Sequence, residues 1–373
     1  MRADDEMIRE TARRFAESEL APGAAERDRT SAFPTAELKK LAALGLMGAT
    51  VPQEWGGAGA SYSALTMAIE ELSRGDASVG VVMSTHNSLA CMPLVNHGTD
   101  AQKERFLRPL AAGELIGAVA ITESQAGSNA ADIRTRAERK GDGYVLNGTK
   151  QLITSGSDAN IAMLLASTDP DAGARGVTCF IVLTDTPGFS VGRVEDKLGI
   201  RASGTAQLVL ENVELGAEHV LGAPGSGYKI MLEALARSRL GIAAQAVGIA
   251  QASLDHAVAY ARERQSFGKP IIEHQAVGFR LATMATEIEA ARRLTYHAAG
   301  LIDAGAPFAK ESSMAKVFAG EMAERVCSQG LQVLGGYGYL TDYPLERLYR
   351  DARVCQIYEG TGDIQRMVIA RML

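Results

Sequence analysis

Several features are scarce in this sequence of 373 residues, and each shortage excludes a class of protein. There are four cysteines, Cys91, Cys179, Cys327 and Cys355, and none belongs to a CxxC pair. Each lies in an apolar context, which predicts buried free thiols rather than disulfides. The six histidines show no HxxxH or HxH spacing, so a histidine-based metal site is not expected.

Long apolar runs and a positive charge balance are also missing. No segment approaches the roughly 20 uninterrupted apolar residues that a transmembrane helix requires, so no membrane span is predicted. The acidic start, Met1–Glu6, has no apolar core segment, which is unlike a secretory signal and favours a cytoplasmic location. The formal net charge of −6 argues against nucleic acid as the main partner.

What is present is a pattern of helix, then sheet, then helix, with divisions predicted at 1–115, 116–227 and 228–373. The first part repeats apolar side chains at helical spacing, and short β-branched segments separated by Gly, Asp, Asn and Pro follow it. These short segments predict a small antiparallel barrel or sandwich, with a hairpin turn at Asn147-Gly148. Helical periodicity then returns to the end of the chain. The predicted fold class is therefore α+β, mainly α.

Individual helices are indicated by stripes of apolar residues. The predicted segments are 7–20, 35–47, 61–74, 77–97, 100–112, 228–264, 271–303, 308–334 and a last helix after Thr361. A glycine-rich segment, 335–338, breaks the pattern before that last helix.

The stretch Ile357–Gln365 contains the most suggestive single side chain, the carboxylate of Glu359. Thr361 precedes an apolar-periodic run and is expected to cap a helix, with Asp363 in its first turn. Glu359 would then lie in a tight turn before the helix, where apolar surroundings raise its pKa and suit it to be a general base. A solvated loop residue is the alternative, and this stretch alone favours that alternative.

Two further loops each allow a ligand-binding or a plain interpretation. Gly222–Gly227 leads into a helix and would suit a phosphate, but a flexible linker is the favoured interpretation. Thr122–Asn129 follows a strand with hydroxyls, a glycine and backbone donors, so it would suit a polar ring edge or a pyrophosphate. For this loop a surface turn is the alternative.

The motifs taken in order are far more specific than any one of them. The segments in question are Thr122–Asn129, Asn147–Thr154, Asp196–Arg201, Arg264–Lys269, Glu273–Gln275, Gln332–Tyr339, Tyr349–Arg353 and Ile357–Thr361. In this order they closely resemble the signatures of the acyl-CoA dehydrogenase flavoprotein family, over essentially the whole chain. The run 78–98 is most similar to short-chain and short-branched-chain members.

The resemblance implies an N-terminal helical domain, a middle β domain and a C-terminal four-helix bundle, assembled as a homotetramer (a dimer of dimers). FAD would lie between the β domain and the bundle. Its implied contacts in the β domain are Ile121, Thr122, Gly127, Ser128, Leu152 and Thr154. Those from the neighbouring subunit are Arg264, Phe267, Gln275, Gln332 and Gly336, and Thr361 and Asp363 would also face the cofactor.

The resemblance also implies the chemistry, which is α,β-dehydrogenation of an acyl-CoA thioester to a trans-2-enoyl-CoA, as in fatty acid β-oxidation. Glu359 matches the family's catalytic base, and the hydride would go to flavin N5. Relatives that use another base carry it at the position of Ser238, which cannot act as a carboxylate. The residues implied at the substrate are Ser128, Glu233, Arg239, Tyr358 and Gly360. Electron-transferring flavoprotein would accept the electrons.

Four positions, Asn129, Leu152, Ala236 and Asp363, depart from the family pattern. Ala236 replaces an aspartate that helps relatives to hold CoA, which puts the nucleotide contacts in doubt. Glu233 would either shorten the acyl cavity or select a substrate with a polar or cationic end, unless it faces solvent, and the sequence does not separate the pocket from the solvent position. The other residues expected at the pocket floor are Met83, His86, Cys91 and Cys355. The expected substrate is a short or short-branched acyl-CoA.

Three alternatives keep the fold or the FAD site. An acyl-CoA oxidase is usually longer at its C-terminus than this chain. A relative acting on a carrier-bound thioester is weakly permitted by Ala236. A catalytically silent FAD-binding scaffold is disfavoured by the presence of Glu359.

Overall fold

The computed structural model describes residues 3–373 as helices, then a sheet, then helices again. The α-helices are α1 (Ala3–Phe15), α2 (Ala24–Thr30), α3 (Thr35–Ala43), α4 (Tyr62–Gly75), α5 (Ala77–Thr85), α6 (Met92–His97), α7 (Asp100–Gln102), α8 (Arg108–Ala111), α9 (Gly227–Glu263), α10 (Gln275–Asp303), α11 (Ala309–Leu334), α12 (Leu345–Arg353) and α13 (Gly362–Arg371). The mainly helical α+β fold predicted from the sequence is confirmed, while the division at 115/116 and at 227/228 stays a prediction.

The β-strands of the middle part, with one short hairpin beyond it, are shorter than most of the helices. They are β1 (Gly117–Ala120), β2 (Arg136–Lys140), β3 (Gly143–Ile153), β4 (Ile161–Ser167), β5 (Val177–Leu183), β6 (Phe189–Val194), β7 (Ala206–Leu215), β8 (Val220–Leu221), β9 (Gln265–Ser266) and β10 (Lys269–Pro270).

Helix starts in the N-terminal part follow from side-chain caps. Ser61 accepts a hydrogen bond from the N–H of Ala64 at the start of α4, and Asp76 accepts one from the N–H of Ser78 at the start of α5. The carboxylate of Asp76 also pairs with Arg27 at 2.8 Å, which ties α2 to the junction of α4 and α5. Helices α4 and α5 then pack against α9 of the C-terminal part.

Three predicted helices contain π-helical turns, which replace i→i+4 hydrogen bonds with i→i+5 bonds. The predicted helix 7–20 ends in one, Ala16–Leu20, and the other two helices are interrupted by one each. The predicted helix 77–97 consists of α5, the π turn His86–Cys91 and α6. The predicted helix 100–112 consists of α7, the π turn Lys103–Leu107 and α8. Both predictions are therefore right about the extent of the helix and miss its change of winding.

His86 joins the π turn His86–Cys91 to the sheet. Its Nδ1 accepts the N–H of Gly117 in β1 at 3.1 Å, so the proton lies on Nε2, which donates to the carbonyl of Leu110 at 3.0 Å. Burial lowers the pKa of His86 to about 4, so the ring is neutral near pH 7. Because both ring nitrogens form hydrogen bonds, His86 connects the N-terminal helices to strand β1 of the sheet.

The middle part is one open, mixed sheet with the strand order β6-β7-β3-β2-β4-β5-β8, and β1 pairs with β4. Of the two predicted alternatives, an antiparallel barrel or sandwich, the closed barrel is wrong, and the pairings of β4 with β1 and with β2 are parallel rather than antiparallel. Strands β2 and β4 share only the pair Arg136–Ser167. This single pair divides the sheet into two halves, one with β6, β7, β3 and β2 and the other with β1, β4, β5 and β8. The two halves pack against each other, and the ring of Tyr144 in β3 contacts that of Phe180 in β5 edge-on.

The predicted hairpin turn at Asn147-Gly148 is wrong, because both residues lie inside the long strand β3. They mark an irregularity in its pairing with β7, where the side chain of Asn147 accepts the N–H of Asn212 at 2.8 Å. The hairpin between β2 and β3 instead turns at Gly141-Asp142, between the paired residues Lys140 and Gly143. Gly141 has φ 62°, which a tight two-residue turn requires.

Helix α9 is the longest helix, at 37 residues, and it contacts α4, α10, α11 and β5. Its buried middle is rich in small residues, which let neighbouring helices approach closely; these include Gly241, Ala243, Ala244, Ala246 and Gly248. Helix α12 is missing from the prediction, although Pro344 precedes it and Leu345 and Leu348 are buried at helical spacing. The helical pattern in α12 is short and follows the glycine-rich segment 335–338, which predicts a break in helical structure.

The four cysteines are buried and free, as predicted. In the part of the chain that the structure describes, no group of His, Cys, Asp and Glu is arranged to hold a metal ion. No helix among the same residues combines the length and the apolar character needed to cross a bilayer.

The closeness of α9 and α4 gives a testable prediction. A β-carbon added at Gly248 would lie 2.2 Å from the backbone oxygen of Glu70, so Gly248→Ala forces two helix backbones apart. We expect this variant to lose roughly 1–3 kcal/mol, more than the ~1 kcal/mol that alanine gains in helix propensity. Gly300→Ala in α10 is the control, since a β-carbon there meets nothing within 4 Å. Thermal unfolding should lower the midpoint for the first variant and raise it for the second; equal shifts would contradict the packing argument.

Candidate active site

The turn before α13 carries Glu359 in an unusual backbone conformation. Glu359 has φ 53° and Gly360 has φ 92°, so two consecutive residues are left-handed. For a residue with a side chain this conformation costs of the order of 1–2 kcal/mol, and it persists only where the surroundings fix it. Thr361 caps α13 by accepting the N–H of Ile364 at 3.4 Å, which confirms the predicted cap.

The carboxylate of Glu359 is enclosed, although the residue as a whole is only half-buried. Its Oε2 accepts a short hydrogen bond from the hydroxyl of Ser238. Its Oε1 is buried without a hydrogen-bond partner among the residues that the structure describes. Burial raises the pKa of Glu359 to about 7, against the lowering effects of Ser238, Lys316 and Arg239. Glu359 is therefore not a solvated loop residue.

Two cations lie near this carboxylate. Arg239 in α9 is largely buried, donates to the hydroxyl of Ser313 at 3.2 Å and leaves its Nε without a partner among the described residues. Lys316 in α11 is 1% exposed, and its ammonium donates to the carbonyl of Gly360 at 2.6 Å. Lys316 is absent from the sequence-based site. The signal that could have revealed it is a lone lysine on a helix face that is otherwise apolar.

Aromatic side chains complete the surroundings of the turn. The hydroxyl of Tyr358 donates a short hydrogen bond to the buried amide of Gln245 in α9. The hydroxyl of Tyr62 in α4 donates to the carbonyl of Arg237 at 2.7 Å and lies 3.2 Å from the hydroxyl of Ser88. Helices α4, α9 and α11 thus all contribute to one enclosed site around the base turn.

A second group of predicted residues lies at one end of the sheet. Thr122 follows β1, and its carbonyl accepts the N–H of Gln151 in β3 at 2.8 Å. Leu152 is left-handed, with φ 57°, and its apolar side chain is 61% exposed. Thr154, just beyond β3, is half-buried. Main-chain hydrogen bonding therefore brings Thr122 next to the strand segment that carries Leu152 and Thr154.

A buried ion pair holds this loop. Glu123 and Lys150 are 2.7 Å apart and are almost completely buried. Glu123 also accepts both the hydroxyl and the N–H of Thr135, and Lys150 donates to the carbonyl of Ile121 at 3.2 Å. Burial alone would raise the pKa of Glu123, but Lys150 and these donors lower it to about 2. The pair fixes both ends of the segment Ile121–Glu123, and sequence reasoning missed it.

A third group lies at the far end of the helical bundle. Arg264, Gln332 and Gly336 line one cleft of about 490 Å³, and the Arg264 guanidinium stacks 5.8 Å from the ring centre of Tyr337. The hairpin β9–β10 turns at Phe267, which has φ 52° and is 95% exposed. None of the sheet-end residues lines this cleft, so a single chain does not unite the two predicted groups of cofactor contacts.

The remaining predicted residues are spread around these groups. Gly127 and Ser128 lie exposed in the loop after Thr122, Gln275 is exposed at the start of α10, and Asp363 is exposed in α13. Glu233 lies on the exposed face of α9, where its carboxylate is 3.1 Å from Nε2 of His97. This contact favours the solvent-facing alternative for Glu233. The expected floor residues Met83, Cys91 and Cys355 are fully buried in the cores.

Comparison with known families accounts for the three parts of the chain. The family descriptions "Acyl-CoA dehydrogenase, N-terminal domain", "middle domain" and "C-terminal domain" match residues 2–114, 118–213 and 225–373. The chain is 49% identical over 365 residues to "Short-chain specific acyl-CoA dehydrogenase, mitochondrial" of Rattus norvegicus, covering 98% of this chain and 89% of the rat protein.

Several solved structures are similar over the whole chain, and two of them are more than 40% identical to it. Butyryl-CoA dehydrogenase from Megasphaera elsdenii superposes with a TM-score of 0.98 at 41% identity, covering 100% of this chain and 98% of that one. A chain from "Electron transferring flavoprotein of Acidaminococcus fermentans: Towards a mechanism of flavin-based electron bifurcation" gives a TM-score of 0.98 at 42% identity, with the same coverage.

The buried pair Glu123–Lys150 gives a second prediction. Lys150→Met leaves a buried, unpaired carboxylate, so we expect a loss of roughly 3–5 kcal/mol in the free energy of unfolding. The double variant Glu123→Gln/Lys150→Met leaves no buried charge and should lose less. Urea unfolding of both variants tests this, and equal losses would contradict it. Because the pKa of Glu123 is lowered, the pair's contribution is present above about pH 4, the ordinary pKa of the carboxyl, and is lost as the pH falls towards 2.

Proposed function

The chain belongs to the acyl-CoA dehydrogenase family, and on that premise we propose that it oxidises short acyl-CoA thioesters with Glu359 as the catalytic base. Membership of this family makes the protein an oxidoreductase that uses FAD. The observation that carries the proposal is the enclosed carboxylate, whose Oε1 is buried without a hydrogen-bond partner among the described residues. Such an oxygen is free to accept a proton from a substrate carbon.

The proton in question is weakly acidic, because it lies on the carbon next to the thioester carbonyl. Its removal requires a base whose pKa lies near the working pH and whose surroundings exclude water. Burial raises the pKa of Glu359 to about 7, so the carboxylate is about half ionised at neutral pH. Ser238 holds Oε2 and thereby orients Oε1 for the transfer.

The residues present fit FAD on two observations. At the sheet end, Leu152 offers an exposed apolar side chain from a left-handed position, on the strand segment that main-chain hydrogen bonding joins to Thr122, and both Thr122 and Thr154 are half-buried. At the far end of the bundle, the cleft lined by Arg264 and Gly336 combines a guanidinium with backbone that a phosphate can approach closely. When bound, FAD supplies the acceptor for the hydride that leaves the β-carbon.

In this proposal the sheet-end residues hold the flavin ring, and the bundle-end residues of a neighbouring copy hold the adenine half. The two groups lie apart within one chain, and this separation supports a homo-oligomer, which we propose to be a tetramer. The exposed Phe267 at the tip of the β9–β10 hairpin is well suited to reach a neighbouring copy.

On the substrate side, the thioester carbonyl gains negative charge as the proton leaves. The backbone N–H of Glu359, at the same turn, is the donor that we assign to it, and the left-handed conformation of Glu359 and Gly360 sets its direction. Tyr358 and Arg239 wall this part of the site, and Gly360 lets the thioester approach the backbone. We assign Ser128 to the nucleotide side of the ligand.

Short acyl chains are the proposed substrates. The support is the similarity to the rat short-chain enzyme and to the Megasphaera butyryl-CoA dehydrogenase. Because Glu233 pairs with His97 at the surface, no polar end group on the acyl chain is needed to explain it. Electron-transferring flavoprotein is the proposed electron acceptor, in keeping with the Acidaminococcus structure.

The alternatives are separated by the choice of substrate and acceptor. An oxidase would form peroxide at the rate at which it consumes substrate, and a carrier-specific enzyme would prefer carrier-bound to CoA-bound acyl groups. A scaffold without activity would leave every acyl-CoA unchanged. Anaerobic flavin bleaching with acyl-CoAs of varied length and branching tests for a silent scaffold, and the same assay with carrier-bound acyl groups tests for a carrier-specific enzyme. Comparing peroxide formation in air with dye reduction separates an oxidase from a dehydrogenase.

The base assignment gives a third prediction. Glu359→Gln keeps the shape of the side chain and removes its basicity, so the protein should retain FAD and lose its bleaching by butyryl-CoA. We expect a decrease in the rate of reduction of at least about 10³-fold, within the range of general base catalysis. Glu321→Gln, which changes a carboxylate that pairs with Arg366 on the surface, is the matched control. Normal bleaching by Glu359→Gln would overturn the assignment.

The raised pKa gives a fourth prediction. Glu359 must be ionised to accept a proton, and its pKa in the folded protein is about 7. We therefore expect kcat/KM to rise as the pH increases through about 7, and to fall about tenfold for each pH unit below that midpoint. A dye-reduction assay with butyryl-CoA between about pH 5 and 9 measures this profile. A rate independent of pH across that range contradicts the role of a base with this pKa.

A further inference from the structure

Lys316 is a fully buried cation that the chemistry above does not use. It lies in α11 with 1% of its surface exposed. Its ammonium donates to the carbonyl of Gly360 at 2.6 Å, and among the residues that the structure describes it forms no ion pair. Lysine is rarely buried without a carboxylate, because removing the ammonium from water costs several kcal/mol. Its position next to Glu359 therefore calls for an explanation.

The carbonyl that Lys316 holds belongs to the left-handed turn of the base. Nε2 of Gln365, which is fully buried, donates to the same carbonyl at 3.0 Å and to that of Glu359 at 3.2 Å. A β-carbon at Gly360 would lie 2.6 Å from that nitrogen, so the turn and the two donors fit tightly together. One amide from α13 and one cation from α11 thus fix the backbone on which the carboxylate stands.

The charge of Lys316 also acts on the carboxylate itself. The polar and titratable groups that face Glu359 come from four directions: Lys316 from α11, Ser238 and Arg239 from α9, Tyr62 from α4, and Tyr358 from its own segment. Cys355 of that segment interacts with Lys316. Burial lowers the pKa of Lys316 to about 8, and the nearby carboxylate opposes that change. Lys316 is still mainly charged at neutral pH, so it favours the ionised form of Glu359.

We propose that Lys316 is a positioning residue for the base: it fixes the turn at Gly360 and electrostatically favours the ionised carboxylate of Glu359. This proposal rests on the proposed role of Glu359. A neutral donor would hold the carbonyl equally well and would not carry the cost of a buried charge. The presence of a cation rather than a neutral donor at this position is explained if its charge favours the ionised form of Glu359.

The test compares Lys316→Met and Lys316→Gln in the FAD-loaded enzyme. Methionine removes the charge and the donor, whereas glutamine removes the charge and keeps a donor. Without the cation the pKa of Glu359 should rise, and a rise of about one unit makes kcat/KM about tenfold lower at a fixed pH below the midpoint. We expect the midpoint of the kcat/KM profile to move to higher pH in both variants, and kcat at high pH to fall further in Lys316→Met.

Cys327→Ala is the control for a merely structural effect. Cys327 is fully buried in the same helix, so its truncation should lower the melting temperature without moving the pH midpoint. If Lys316→Met retains too little FAD, Lys316→Gln answers the question alone. If Glu359 is the base, an unchanged midpoint of the kcat/KM profile in the Lys316 variants that retain FAD would overturn the proposal.

A second measurement separates this proposal from the assignment of the base. Infrared difference spectra across pH report the protonated carboxyl band that Glu359→Gln removes, and they need no substrate and no turnover. A higher ionisation midpoint in the Lys316 variants supports the proposal even if another residue is the base. If Glu359→Gln still bleaches and the infrared midpoint does not move, both the base assignment and the role of Lys316 fail, each on its own measurement.

Discussion

The central constraint in this protein is that the carboxylate of Glu359 must be kept from water and still be able to ionise. Enclosure alone would leave the side chain permanently protonated. The fold resolves this conflict with groups on long, well-packed helices, since Ser238 and Arg239 project from α9 and Lys316 from α11. The turn itself is short and left-handed, so its geometry depends on those helices.

Much of the fold could be predicted from the sequence, because local patterns dominate in the helical parts. The stripes of apolar residues predicted the course of α4, α10 and α11. The sheet was harder, because strand partners are set by distant contacts. Asn147-Gly148 has the composition of a hairpin turn, yet it bends a continuous strand against β7, while Gly141-Asp142 makes the turn. The parallel pairings around β4 leave no mark in local alternation.

The candidate active site likewise has a part that local sequence predicts and a part that only tertiary packing determines. The position of Glu359 before a capped helix followed from the order of residues, because Thr361 caps its own helix. Its partners did not, since Ser238 is 121 positions and Lys316 is 43 positions away in the chain, and only tertiary packing brings them together. For Glu233 the sequence gives the helix but not the direction in which the side chain points. A carboxylate on α9 is compatible with the pocket or with solvent, and the surface pairing with His97 depends on the rotation of the helix.

The π turns at His86–Cys91 and Lys103–Leu107 constrain how the chain tolerates insertion and deletion. Each accommodates a residue that an α-helix has no room for, and this residue turns everything after it by about 100° around the axis. Deleting one residue in the first turn would restore the α-helix and rotate α6, which would carry Leu94 out of the core beside the sheet. Side chains in these turns can be exchanged far more readily than the number of residues can change.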